Sequence, residues 1–230
     1  GSNFSVPFLH ALGNLANRST IFSSSEYHVN SVFASIEVSL LRAIYVNGTV
    51  RNDWFSSLTD LDGNSTNNEL YYSGGLSFVF SDLLDLPSWF SFGKFRASYA
   101  EVGGPGAAQS PYQLNLSYGI FGQGHLGNPL GGVSNGSIPN ALLRPLTSSE
   151  LEFGLDLRFM NNRVGLDIAY YNQQTSDDIL SAAVSATSGY GSKIVNIGKM
   201  QNSGIEALLN LRPVETRDFS WDLSLNYSNN

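Results

Sequence analysis

The sequence predicts an all-β fold, an antiparallel up-and-down meander that forms part of a transmembrane β-barrel. Three observations predict it. Apolar and polar residues alternate with a period of two, connections alternate between short and long, and aromatic residues gather at strand ends. A period of two gives a strand one dry and one wet face. The alternation of loop lengths separates a membrane barrel, with tight turns at one rim and long loops at the other, from a sandwich.

The strands follow in order. Residues 1–29 show no period and many Ser and Asn, and are read as an irregular loop segment with at most one short strand. From Val32, "VFASIEVSLL" puts Val32, Ala34, Ile36, Val38 and Leu40 on one face, with Phe33 as the exception on the other. "IYVNGTVRND" sets Val46, Gly48 and Val50 against Asn47, Thr49, Arg51 and Asp53. "GGLSFVFS" supplies Leu76, Phe78 and Phe80, and "FGKFRASYAEV" opposes Phe95, Ala97 and Tyr99 to Lys94, Arg96 and Ser98. "LEFGLDLRF" and "RVGLDIAYY" form a pair about the turn "MNNR", then "GIEALLNLR" and "FSWDLSLNYS" repeat the alternation. The only hint of helix is a short turn at "SDLLDLPS".

Between these strands "LLRA", "SDLLDLPSW", "MNNR" and "PVETRD" are short, whereas residues 55–69, 103–148 and 174–198 are read as long loops. Trp54, Phe55, Tyr71, Tyr72, Tyr170, Tyr171 and Tyr227 fall toward the long-loop end; Phe80, Trp89, Phe90, Phe159, Phe219 and Trp221 fall toward the short-turn end. Two aromatic girdles about an aliphatic band suit a protein that crosses two membrane interfaces. A one-residue slip would exchange the faces of a strand. In 151–159 it would turn Glu152, Asp156 and Arg158 to the dry side, and an Arg at bilayer mid-depth costs about 2–4 kcal/mol.

Composition agrees. Among 230 residues only 13% are charged while 23 are Gly, 14 Phe and 11 Tyr. That charged share is about half the usual value, and such a composition suits strands and tight turns and not a disordered chain. The 12 Lys and Arg are scattered and the net charge is −7, so the basic patch of a nucleic-acid binder is missing and no nucleic-acid partner is expected. With no cysteine, disulfides, thiolate metal sites and cysteine nucleophiles are excluded. No apolar run reaches the roughly 18 residues of a membrane helix, but a barrel strand needs only about 9–11. No signal peptide opens the chain, so more sequence is expected upstream.

Motifs for other chemistries are weak. "GQGHLG" (Gly122–Gly127) fits the dinucleotide fingerprint but lacks the surrounding strand–helix unit. "DLDGNSTNNE" (Asp60–Glu69) is rich in oxygen ligands, with its Gly and final Glu misplaced for an EF-hand. His10, His28 and His125 have no metal-ligand spacing, and no nucleophile elbow occurs. No cofactor, metal or enzymatic activity is expected. The Asn-x-Ser/Thr triplets, such as Asn47–Thr49, are taken as chance.

Wording adds to the period. "VNGTVRNDWFSSL", "LSFVFSDLLDLPSWFSFGKFRASYAEVGG", "LRPLTSSELEFGLDLRFMNNRVGLDIAYYNQQTSDDIL", "ATSGYGSKIVNIGKMQNSGIEALLNLRPV" and "DFSWDLSLNYSNN" resemble consecutive stretches of the SusC/RagA-like TonB-linked outer-membrane transporters of Bacteroidetes. The likeness covers roughly residues 30–230 and is weakest over 103–148. It implies a bacterial outer-membrane location and a barrel of about 22 strands around a plug. It also implies import of glycans or peptides powered by the TonB complex, and a SusD-like surface lipoprotein as partner and lid. Residues 30–230 are then a partial TonB-dependent-receptor barrel of about eight to ten strands from its C-terminal half, without the plug domain. The open edges of such a piece are expected to close on each other, pair with a second copy or stay disordered. Arg51, Asp53, Lys94, Arg96, Glu152, Asp156, Arg158 and Asp167 are the candidate lumen-facing residues, which would hold the plug, line the substrate path or keep the lumen wet. The apolar side chains would meet outer-membrane lipid. The alternative is a soluble β-sandwich that binds carbohydrate through exposed Tyr and Trp.

Overall fold

A computed structural model describes residues 2–4, 15–17, 24–59, 62, 68–106 and 114–230. Eight long strands form one antiparallel meander: β3 (Val29–Leu40), β4 (Ile44–Phe55), β5 (Asn68–Val79), β6 (Phe90–Gly104), β10 (Leu146–Phe159), β11 (Val164–Ala183), β12 (Ser192–Glu215) and β13 (Ser220–Asn229). Each pairs with its neighbour in chain order. Five short strands stand outside this path. β1 (Ser2–Phe4) pairs with β2 (Leu15–Asn17), β7 (Tyr118–Gln123) with β8 (Pro129–Val133), and β9 (Ser137–Ile138) lies parallel to β12. The described part of residues 1–29 therefore holds two short strands and the first residue of β3, where a loop with one short strand was expected.

The register carries the alternation from strand to strand. Leu155 is opposite Phe95 on β6 and Ile168 on β11; Ile168 is opposite Ala207, and Ala207 opposite Tyr227. On the other half of the sheet Val38 meets Val46, Val46 meets Leu76, and Leu76 meets Ala97. These residues share one apolar face, and the polar partners of each strand share the opposite one. Among the described residues no second sheet covers either face, so the architecture is a barrel wall and not a sandwich. Accessible surface totals 15806 Å², against about 10,000 Å² for a globular monomer of this mass. The excess follows from Ile36, Phe153, Ile205 and Leu225 standing exposed on the apolar face.

Short turns and long connections keep to opposite ends. Leu41 and Arg42 bend the first turn with φ of 52° and 57°, and Met160, Asn161 and Asn162 bend another with 53°, 58° and 66°. Left-handed residues suit tight hairpins because their twist matches that of the strands, and Asn tolerates the conformation. The Tyr45 hydroxyl donates to the Arg42 carbonyl over 3.0 Å and braces the first turn. At this end the rings of Phe78, Phe80, Phe90, Trp89 and Phe159 form a chain with centroids 5.1–6.2 Å apart. Gly93 leaves room for it, since a Cβ there would come within 2.3 Å of Phe80.

The long-loop end differs from expectation in two respects. The connection read as a loop over 174–198 is largely strand: β11 runs on to Ala183, β12 starts at Ser192, and the two stay paired. A bulge at Asp177–Asp178, with Asp177 at φ 57°, resets the register. This break in the period hid the extension. Strands of 20 and 24 residues also exceed the roughly 9–11 that cross a bilayer. The second difference concerns the aromatics. Trp54, Tyr72, Tyr170 and Tyr227 lie on the apolar face, whereas Phe55, Tyr71 and Tyr171 lie on the polar one. Phe55 packs with Leu58, Leu114, Leu143 and Ile179 in the one buried cluster found among the described residues. The connection before β10 is tied down by Arg144, which pairs with Asp177 at 2.6 Å and exchanges backbone hydrogen bonds with the Asn196 amide.

An open sheet whose edge strands β3 and β13 have no further partner among the described residues, and whose apolar face is bare, is not stable alone in water. The 230-residue chain by itself is expected to associate unless detergent is present. Light scattering during size-exclusion chromatography checks this; a monodisperse monomer without detergent would contradict it.

Candidate functional site

Six of the eight sequence-predicted residues come together on the polar face. β6 supplies Lys94 and Arg96, β10 supplies Glu152, Asp156 and Arg158, and β11 supplies Asp167. Register forces two carboxylates into contact, because Asp156 is directly opposite Asp167. Like charges facing each other across a ladder repel, so each requires a cation. Lys94 Nζ and Arg158 Nη2 approach Asp156 at 3.9 and 3.6 Å. Arg158 also sits 4.9 Å above the Phe92 ring, a cation–π contact.

Asp167 is served from two strands away. Arg96 crosses β10 and donates from Nη1 and Nη2 to both carboxylate oxygens, at 3.1 and 2.7 Å. Its Nε lies 3.5 Å from Glu152. Gly154, opposite Arg96, makes the crossing possible. A Cβ at Gly154 would come within 2.2 Å of the Arg96 Nε. The sequence shows Gly154 on the polar face, but only the register of three strands reveals that its missing side chain is the passage.

Beside this network a groove of about 640 Å³ is lined by Arg96, Glu150, Glu152, Asp167, Tyr171 and Glu206 among others. Its four carboxylates outnumber its one guanidinium.

Arg51 and Asp53 form a separate pair near the long-loop end of β4. Arg51 Nε donates to Asp53 at 2.6 Å and Nη2 donates to Ser31 Oγ at 3.0 Å. Burial, and after it the Asp53 charge, raises the pKa of the nearby Tyr27 hydroxyl. Sequence reasoning missed a third ion-pair group, at the short-turn end, where Arg212 Nε meets Asp222 at 2.6 Å and Nη1 meets Glu215 at 3.3 Å. The β12 bulge between Leu211 and Val214 interrupts the period there.

The other motifs gain no ligand geometry among the described residues. "GQGHLG" spans the tip of the β7–β8 hairpin, where Gly124 N–H donates to the Asn128 carbonyl at 2.7 Å. Most of "DLDGNSTNNE", and His10, lie outside the described residues. His28 pairs with Glu26 at the surface. Among the described residues no three His, Cys, Asp or Glu side chains converge as metal ligands.

A one-sheet wall with one charged and one apolar face defines a β-barrel membrane protein. The family described as TonB dependent receptor-like, beta-barrel matches residues 3–230, and the chain belongs to it. TonB-dependent receptor P3 of Formosa agariphila is 28% identical over 218 residues, 90% of this chain and 20% of its own length. TonB-dependent receptor SusC of Bacteroides thetaiotaomicron is 31% identical over 139 residues, 51% of this chain and 14% of its own. The chain spans about a fifth or less of these curated relatives. In fold it is similar to the RagAB peptide transporter, with a TM-score of 0.78 and 22% identity over 98% of this chain and 25% of that one. The ferric enterobactin receptor of Pseudomonas aeruginosa gives 0.56 and 20%, over 92% of this chain and 27% of that one. Barrels of this family are outer-membrane proteins, and that is the location of this chain.

Replacing Gly154 with Val would evict the Arg96 side chain and leave Asp167 beside Asp156 without its cation. In the whole receptor, Gly154→Val is expected to cost about 1–3 kcal/mol, the range for a lost charged hydrogen bond. The coupling between Arg96→Met and Asp167→Leu should be about 1 kcal/mol or more in the wild-type background and vanish in Gly154→Val. Denaturant unfolding in lipid vesicles measures both.

Proposed function

We propose that the chain is a wall segment of an outer-membrane active transporter that imports nutrients, either glycans or peptides. The observation that supports this best is the division of the sheet into a charged and an apolar face across its central stretch. Arg51, Asp53, Lys94, Arg96, Glu152, Asp156, Arg158 and Asp167 all fall on one face, whereas the other face carries no charged residue from Leu151 to Phe159 or at their partners on β6, β11, β12 and β13, its charges being Glu101 and Lys199 toward the long-loop end. On this reading the charged face lines the lumen, where it meets the plug and the substrate path. The apolar face meets lipid, and its aromatic chain at Phe80–Phe159 sits at the periplasmic interface.

The remainder follows from the family likeness. The TonB complex supplies energy from the inner membrane, and a SusD-like lipoprotein closes the outer mouth. The charges of Lys94, Arg96, Asp156 and Asp167 are paired across strands and serve as wall. The surplus of carboxylates in the groove beside Arg96 favours basic groups on whatever faces it.

Deleting the gene of the whole receptor, or disabling TonB, is expected to abolish uptake of its labelled oligosaccharide or peptide. Uptake that persists without TonB would refute active transport. The face assignment has its own test. Leu155→Arg should lower receptor stability by about 2–4 kcal/mol, measured by denaturant unfolding in vesicles. Leu208→Arg, on the charged face, should change it by well under half of that.

A further inference from the structure

The apolar face changes character toward the long-loop end. One row across β6, β10, β11 and β12 reads Ala97, Phe153, Tyr170 and Ile205, and the next reads Tyr99, Leu151, Asn172 and Ser203. Above them come Glu101, Ser149, Gln174 and Gln201, and then Gly103, Thr147, Ser176 and Lys199. Within two rows the apolar side chains give way to amides, hydroxyls and charges, on the same face of the same ladder.

Height along the barrel places this strip. From Phe159, in the aromatic chain at the short-turn end, β10 climbs about 34 Å to Ser149 at about 3.4 Å per residue. At a strand tilt of about 35–45° that is about 24–28 Å along the membrane normal, and the apolar band of an outer-membrane barrel is about 25 Å tall. The strip therefore begins where hydrocarbon ends, at the level of lipid headgroups. Tyr99 and Tyr170 lie just beneath it, at the depth that interfacial aromatics occupy, and the Tyr72 ring sits 5.9 Å from that of Tyr99.

The polar groups are held in place without being used up on one another. Gln201 Nε2 donates to Asn172 Oδ1 at 3.1 Å, and the Tyr99 hydroxyl donates to Glu101 Oε1 at 2.5 Å. Between these two fixed pairs Gln174 has no side-chain hydrogen bond among the described residues, and neither Ser176 nor Lys199 has a side-chain partner there. Lys199 on β12 and Glu101 on β6 stand three strands apart, about 14 Å at the strand spacing of about 4.8 Å. The strip thus has a cationic end, an anionic end and a neutral middle with free donors and acceptors.

We propose that this outward strip on β6, β10, β11 and β12 binds the headgroup of an outer-leaflet glycolipid, a phosphorylated sugar whose hydroxyls meet Ser149, Gln174 and Gln201 and whose phosphate meets Lys199. The proposal rests on the reading that the apolar face meets lipid. A headgroup that offers only phosphate is disfavoured, because anionic headgroups draw clusters of Lys and Arg, and here one Lys stands among neutral amides and hydroxyls. Those groups both donate and accept, as a ring of sugar hydroxyls does. A protein partner is disfavoured because the strip offers none of the large aromatic anchors that carry protein interfaces.

The test uses the whole receptor in detergent, with bound lipid counted by native mass spectrometry. It is titrated with lipid A, an acylated and phosphorylated glucosamine disaccharide, and separately with phosphatidic acid, which offers the phosphate without the sugar. Wild-type receptor is expected to bind lipid A about tenfold or more tightly than phosphatidic acid, the effect of a few hydrogen bonds. Gln174→Leu with Gln201→Leu should weaken lipid A binding about tenfold, and Lys199→Gln should weaken it and flatten its salt dependence. Gln173→Leu with Asn202→Leu, the paired neighbours on the charged face, should bind like the wild type. Heat-modifiable gel mobility confirms that each variant keeps its barrel. Equal lipid A binding by the wild type and the Gln174 and Gln201 double variant, or equal affinity of the wild type for both lipids, overturns this proposal alone. Weakening by the Gln173 and Asn202 pair in place of the Gln174 and Gln201 pair puts lipid on the charged face and overturns the lipid-facing reading together with the proposal.

Discussion

Cross-strand register is the constraint on which this structure depends. Apolar and charged side chains segregate only while each of the eight meander strands keeps its pairing with the next. A slip of one residue anywhere would turn a charged row into the dry face. The sheet guards against this with ion pairs that work only in one register. Asp156 and Asp167 face each other, so the ladder is tolerable only when Lys94, Arg158 and Arg96 arrive at the same height. The clamp from Arg96 to Asp167 spans three strands through the gap at Gly154, and thereby ties β6 to β11.

The same logic links the two faces. Gly93 is opposite Leu157 on the apolar side, and its missing side chain admits Phe80 to the aromatic chain at the short-turn end. Gly154 admits Arg96 on the charged side. Glycine weakens a strand through its entropy, and here each of these two gives that up for one cross-strand contact that no larger residue permits. The membrane wall and the charged wall are thus held by the same hydrogen-bonded ladder, which explains how one sheet serves two solvents.

Much of this was legible in the sequence. Period two in "LEFGLDLRF" and "VGLDIAYY", and the four-residue "MNNR" turn, correspond to β10, β11 and the turn between them. The grouping of Arg96, Glu152, Asp156 and Asp167 on one face follows from alternation alone. Their contacts did not, because pairing partners depend on register between strands up to 71 residues apart, as for Arg96 and Asp167. The strand extensions within 174–183 and 192–198 read as loop because the Asp177 bulge breaks the period. Phe55 and Tyr71 were grouped with the interface aromatics by their position along the strand, yet alternation puts them on the charged face, where Phe55 joins the buried loop cluster.

The measurement closest to the central claim is a spin-label scan of 151–159 and 164–171 in the whole receptor, reconstituted in bilayers. Accessibility to oxygen, which dissolves in lipid, is compared with accessibility to a water-soluble nickel complex. Strict alternation is predicted, with 151, 153, 155 and 157 and their partners 166, 168 and 170 reached from lipid and the residues between them shielded from it. Accessibility without a period of two, or an apolar face reached only from water, would contradict the account.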